Sequence, residues 1–102
     1  MKRIMVRYTV KPDQADANQR LVEQVYAELQ RDAPSGLRYA TFKQNDGVSF
    51  VHIASIETES GDSPLSQLPA FKAFQAQIKE RCEELPVVVD LDEIGSYHFW
   101  RE

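Results

Sequence analysis

The sequence predicts an α+β domain with the element order β-α-β-β-α-β. Three observations carry this. Ile4, Val6, Tyr8 and Val10 alternate with Met5, Arg7 and Thr9, the period of a strand, and the pattern then changes to helical spacing. An Asn45-Asp46-Gly47 turn separates two β-patterned runs, a strong local hairpin signal. A second helical stripe, preceded by Ser63-Pro64 and Leu68-Pro69, leads into a final valine-rich run.

The elements follow in order. Pro12 ends the first strand, Asp13 is a suitable N-cap, and Asp16 adds charge that a helix N-terminus favours. Leu21, Val22, Val25, Tyr26 and Leu29 then share one helical face, with Arg20, Glu23, Gln24, Glu28 and Gln30 opposite. Pro34-Ser35-Gly36 stops this helix. Leu37 to Lys43 forms the second strand and Val48 to Ile56 the third. The third is apolar on both faces, with Val48, Phe50, Ala54 and Ile56 on one and Val51 and Ile53 on the other, which places it centrally. A polar loop from Glu57 to Asp62 and a short turn at Pro64 to Gln67 precede a main helix from about Pro69 to Glu84. Its stripe is Phe71, Phe74, Ile78, Cys82 and Leu85. Pro86 breaks it, Val87 to Val89 opens the last strand, Asp90-Leu91-Asp92-Glu93 interrupts it, and Ile94 to Trp100 resumes it. This is the split βαβ order of the ferredoxin-like fold: a four-stranded antiparallel sheet with both helices on one face.

The length of 102 residues is that of one domain, spanning 1–102. With 42% hydrophobic residues the chain is too apolar for disorder. It has no run near the ~20 apolar residues of a membrane span. A net charge of −4 argues against a nucleic-acid module. Asp46-Gly47-Val48-Ser49-Phe50-Val51-His52-Ile53 partly matches the third strand of an RNA-recognition motif. It lacks the basic residue at Asp46 and the stacking aromatics at Val48 and Ile53, so RNA binding is rejected. The lone Cys82 has no internal disulfide partner, and a reducing cytoplasm is the expected location. Met5, Val51 and Ile53, with Tyr97 or Phe99, would make a large apolar patch on the sheet face away from the helices. A homodimer packing sheet against sheet covers such a patch most economically.

The dimeric version of this topology is the dimeric α/β barrel, and the segment from Pro64 to Ile78, PLSQLPAFKAFQAQI, is similar to the second helix of the antibiotic biosynthesis monooxygenase-like family. The strand running into Val10-Lys11-Pro12-Asp13 resembles that family's first strand-to-helix junction. The resemblance implies oxidation of a phenolic or quinol small molecule by dioxygen, with no cofactor. The family's usual histidine beside the phenylalanine is Ala70 here, its serine is Leu68, and an acidic loop, Glu57-Thr58-Glu59-Ser60-Gly61-Asp62, replaces the usual approach. Haem cleavage, which some members perform, needs an axial histidine on the second helix and an asparagine on the first strand. The helix has no histidine and Tyr8 stands at about the strand position. The alternative implied by Ala70 is a non-catalytic ligand-binding or stress-associated barrel.

His52 alternates with Phe50, Ala54 and Ile56 on the central strand. If that face looks toward the helices, His52 lines the cleft between sheet and helices and is the candidate base for a phenol. The alternative is a histidine bonded to a backbone carbonyl at the sheet end. Tyr8, Phe50 and Phe71 are candidate substrate-binding walls. Tyr39, Tyr97, Phe74 and Trp100 extend the aromatic set, although Phe71 and Phe74 also hold core spacing. Trp100 is read as a dimer contact. His98 lies on the last strand, roughly 9–10 Å from His52 if the two are level, too far to share a metal. No metal site is expected. Cys82 is read as a small buried hydrophobe.

Overall fold

A computed structural model describes residues 1–99 of the chain. Strand β1 (Lys2–Val10) is followed by a 3-10 turn at Pro12–Gln14 and helix α1 (Ala15–Asp32). Asp13 lies inside the turn, where Pro12 already supplies a helix-like φ, and Gln14 takes the N-cap position with no side-chain bond. Asn18, Val22 and Val25 form the buried face of α1. The helix ends as Ala33 turns left-handed and returns its N–H to the Leu29 carbonyl. Strands β2 (Leu37–Lys43) and β3 (Ser49–Ile56) form the expected hairpin. Asp46 holds its turn, Oδ1 accepting the Val48 and Ser49 N–H groups and Oδ2 accepting the Ser49 hydroxyl. Gly47 supplies the positive φ of 80°. All pairings are antiparallel, in the order β2-β3-β1-β4, the ferredoxin-like arrangement.

The second half departs from the sequence reading. The helix from Pro69 to Glu84 is replaced by α2 (Pro69–Gln75), a break at Gln77 with φ 62°, a single turn α3 (Ile78–Arg81), and strand β4 (Cys82–Asp90). The Arg81 guanidinium donates to the carbonyls of Phe74 at 2.6 Å and Ala76 at 3.1 Å. It thus satisfies helix-end acceptors that continued helix would otherwise bond. Cys82 is buried, but on β4 opposite Val10 rather than in a helical stripe. Leu85 is 55% exposed. Pro86 lies within β4, which accommodates it because β4 is an edge strand and its register with β1 shifts between Arg7 and Val10. Beyond Asp90 the expected strand from Ile94 to Trp100 does not form as far as the described residues reach: Ile94, Tyr97, His98 and Phe99 lie in irregular, exposed chain. Trp100 falls outside the described residues.

Strand alternation sorts the sheet into two faces. Ile4, Val6, Tyr8, Val10, Phe50, His52, Ala54 and Tyr39 face the helices, and Tyr8, Val10, Val22, Val25, Phe50, Leu65, Leu68 and Phe74 form the buried core. Met5, Val51, Ile53, Phe42, Val87 and Val89 take the other face, where Phe42 and Val87 are about half exposed.

Candidate ligand-binding site

Three neighbouring strands set the site. Val6 and Thr41 lie directly across from His52, so Tyr8 on β1 and Tyr39 on β2 are its diagonal neighbours on the helix side, within reach of long side chains. The Tyr8 hydroxyl lies 2.8 Å from His52 Nε2. On the other side of the ring, Nδ1 lies 2.6 Å from the Tyr39 hydroxyl and 3.1 Å from Thr41 Oγ1, which is 2.8 Å from the Tyr26 hydroxyl. The network continues into the helices: Asn18 Nδ2 donates to Tyr8 Oη at 2.9 Å, and Arg81 Nε donates to Asn18 Oδ1 at 3.2 Å.

This network has a direction. A guanidinium can only donate, so the Asn18 atom facing Arg81 is its oxygen, and the amide N–H₂ faces Tyr8. Tyr8 therefore accepts from Asn18. Its own proton goes to His52 Nε2, because in a core where Tyr8 is 1% exposed a misdirected hydroxyl would cost about 1–3 kcal/mol. Nε2 is thus the acceptor and Nδ1 carries the proton of a neutral imidazole. Burial lowers the His52 pKa to about 4, so the ring is neutral at pH 7. Burial also raises the pKa of Tyr8, Tyr39 and Tyr26, which keeps these phenols protonated. Arg81 is buried against neutral oxygens and the Phe74 ring, 5.5 Å from the guanidinium carbon, and desolvation lowers its pKa.

A cavity of about 330 Å³ opens beside this network, between the sheet and α2. Its walls are mainly apolar (Ile4, Val6, Leu65, Phe71, Phe74 and Val88 among them), with Tyr8, Tyr39, His52 and Gln75 as the polar residues. That is the usual composition of a small-molecule site. A smaller hollow of about 220 Å³ lies under α1, and Tyr39 lines both. Of the four residues singled out from sequence, His52, Tyr8 and Phe71 line the larger cavity. Phe50 stands behind it, stacked on Tyr8 with ring centroids 5.6 Å apart. His52 is held by side-chain hydroxyls rather than by a backbone carbonyl. His98 does not line this cavity and lies in the exposed chain after β4, where its ring meets Tyr97 edge-on at 4.2 Å. Ala70 is buried and its N–H donates to Glu28 Oε1 of α1. Sequence reasoning missed Asn18 and Arg81. Asn18 was open to detection, since it lies four residues before Val22 and seven before Val25, on the buried stripe of α1. Among the described residues no three His, Cys, Asp or Glu side chains cluster as a metal site would require, and no helix is long and apolar enough to cross a membrane.

No protein-family model matches the sequence, and no curated protein matches it. Solved structures do, in 58 chains, and many are named as antibiotic biosynthesis monooxygenases. One bearing that name has a TM-score of 0.74 at 20% identity, over 93% of this chain and 100% of its own. The Rv0793 protein of Mycobacterium tuberculosis has a TM-score of 0.72 at 19% identity, over 93% and 96%. A single-site mutant of SnoaB, a cofactor-independent oxygenase from Streptomyces nogalater, has a TM-score of 0.67 at 14% identity, over 93% and 94%. At these identities the likeness establishes a shared fold.

Proposed function

We propose that the larger cavity binds a planar, oxygen-bearing aromatic molecule, and that the protein oxidises a phenol or quinol with dioxygen and no cofactor. The supporting observation is that hydrogen-bonded Tyr8, His52 and Tyr39 line a mainly apolar 330 Å³ cavity whose one further polar lining residue, among those described, is Gln75. The shared fold with a cofactor-independent oxygenase agrees with it. The chemistry is oxidation of a ring methylene to a carbonyl, with one oxygen atom entering the product and the other leaving as water, or of a quinol to a quinone with release of hydrogen peroxide. In this reading His52 is the base, reached through Tyr8: the substrate hydroxyl passes its proton to Tyr8 Oη as Tyr8 passes its own to Nε2. Burial makes that transfer demanding. From a phenol near 10 to an imidazole near 4 it is uphill by about 8 kcal/mol, so turnover requires an acidified substrate.

That same figure, together with Ala70 in place of the family's histidine, favours a second reading, a ligand-binding protein without chemistry. Oxygen uptake with a panel of naphthols, anthrones and quinols separates the two. Uptake that depends on intact protein supports oxidation, whereas tight binding with no uptake supports the second reading. The functional unit in either case is proposed to be a homodimer closed over the open sheet face, whose apolar side chains need cover.

A further inference from the structure

Tyr39 stands at the far end of the directed network, and the direction decides what its hydroxyl offers. The bond between Tyr39 and His52 uses the imidazole Nδ1 proton, so the phenol oxygen accepts and the Tyr39 proton points elsewhere. Thr41 is engaged by Tyr26 and faces Nδ1. Thr41 Oγ1 beside Tyr39 is thus shared among several partners, and an acceptor oxygen in the larger cavity that Tyr39 lines competes with it for the Tyr39 proton.

We propose that the cavity selects its ligand by an acceptor oxygen (a carbonyl, quinone or phenolate oxygen on an apolar ring) received by the Tyr39 hydroxyl, and that Asn18 and Arg81 are positioning residues that set this preference. The inference rests on the reading of the cavity as a ligand site. Neither Asn18 nor Arg81 borders the cavity. They act by fixing which of two directions every bond from Asn18 to Tyr39 takes.

The direction is reversible by one near-isosteric change. In Asn18→Asp the new carboxylate accepts from Arg81 and from Tyr8 and has no proton to give. The Tyr8 proton turns to it, Tyr8 Oη accepts from His52 Nε2–H, and Nδ1 becomes bare and takes the Tyr39 proton. Tyr39 then shows the cavity only lone pairs. Arg81 keeps the new charge paired.

The test uses the full chain. Long-range ¹H–¹⁵N NMR reads which ring nitrogen of His52 is protonated, and calorimetry compares 1-tetralone with tetralin, which has the same bicyclic skeleton but no oxygen. The wild type is expected to show Nδ1–H and to bind the ketone about tenfold more tightly. Asn18→Asp is expected to show Nε2–H with the preference lost. Tyr39→Phe is expected to lose the preference for the ketone over tetralin. Wild-type Nε2–H overturns the inference without any variant, as does equal binding of the two probes or a preference that Asn18→Asp leaves unchanged. If neither probe binds, the ligand-site reading fails and the selection fails with it, even with the tautomer as stated.

Discussion

At His52, burial holds the ring neutral, and this gives the residue a signature in solution. The unfolded chain takes up a proton near pH 6.5, whereas the folded one does so only near 4. Between those values the unfolded state binds more protons, so stability falls with falling pH across that window. Stability should drop by about 3 kcal/mol between pH 7 and pH 4 from this residue alone. Urea unfolding of His52→Gln should lack that slope; a variant with the wild-type pH dependence would show that the ring is not shielded. If oxidation is found, the same variant should lose rate by roughly a hundredfold or more while still folding. Full activity would remove His52 from the chemistry. The strand alternation around His52 placed it among apolar neighbours on one face but left open whether that face looks toward the helices, which the structure supplies. It did not show the hydroxyls on both ring nitrogens, because Tyr39 and Thr41 come from another strand and their register is set by the hairpin turn.

The second half of the chain shows where a sequence pattern and an element part company. Phe71, Phe74 and Ile78 keep helical spacing, and Cys82 and Leu85 continue it by coincidence, so the periodicity runs past the true helix end. Two forces interrupt it. Arg81 bonds the Phe74 and Ala76 carbonyls from its side chain. Pro86 disfavours a helical Leu85, and the valines after it prefer a strand. The first of these is a contact made only in the folded core, which spacing alone does not report. β1, the β2–β3 hairpin and α1 were legible because their signals are local: alternation, an Asp-Gly turn, and a stripe bounded by proline. The break at Gln77 is directly testable. A non-glycine residue at φ 62° is strained, so Gln77→Gly should stabilise the protein by about 0.5–1 kcal/mol in chemical denaturation. In a continuous helix the same change would destabilise it by a similar amount.

Among the described residues, the helices cover the sheet on one side only. Phe42, Val51, Ile53 and Val87 form an apolar surface, and the cover proposed for it above is a second copy of the chain. Sedimentation at micromolar concentration should give about twice the chain mass of 11.7 kDa. Val51→Glu, at the middle of that face, should return it to the single-chain mass; a wild type that sediments as a monomer would remove the barrel. The network through the core has a different reach. It joins Arg81 of α3, Asn18 of α1, Tyr8 of β1, His52 of β3 and Tyr39 of β2 in one connected path. No one of these elements can swing open without severing a buried link to the next, so they should be lost together rather than piecemeal. Native-state hydrogen exchange would then show the amides of β1, β3 and the middle of α1 opening with a single shared free energy. The exposed outer half of β4 and the chain from Asp92 to Phe99 lie off this path, and their amides should exchange early. The domain behaves as an arch, whose stones are held by one another and by no mortar at the rim.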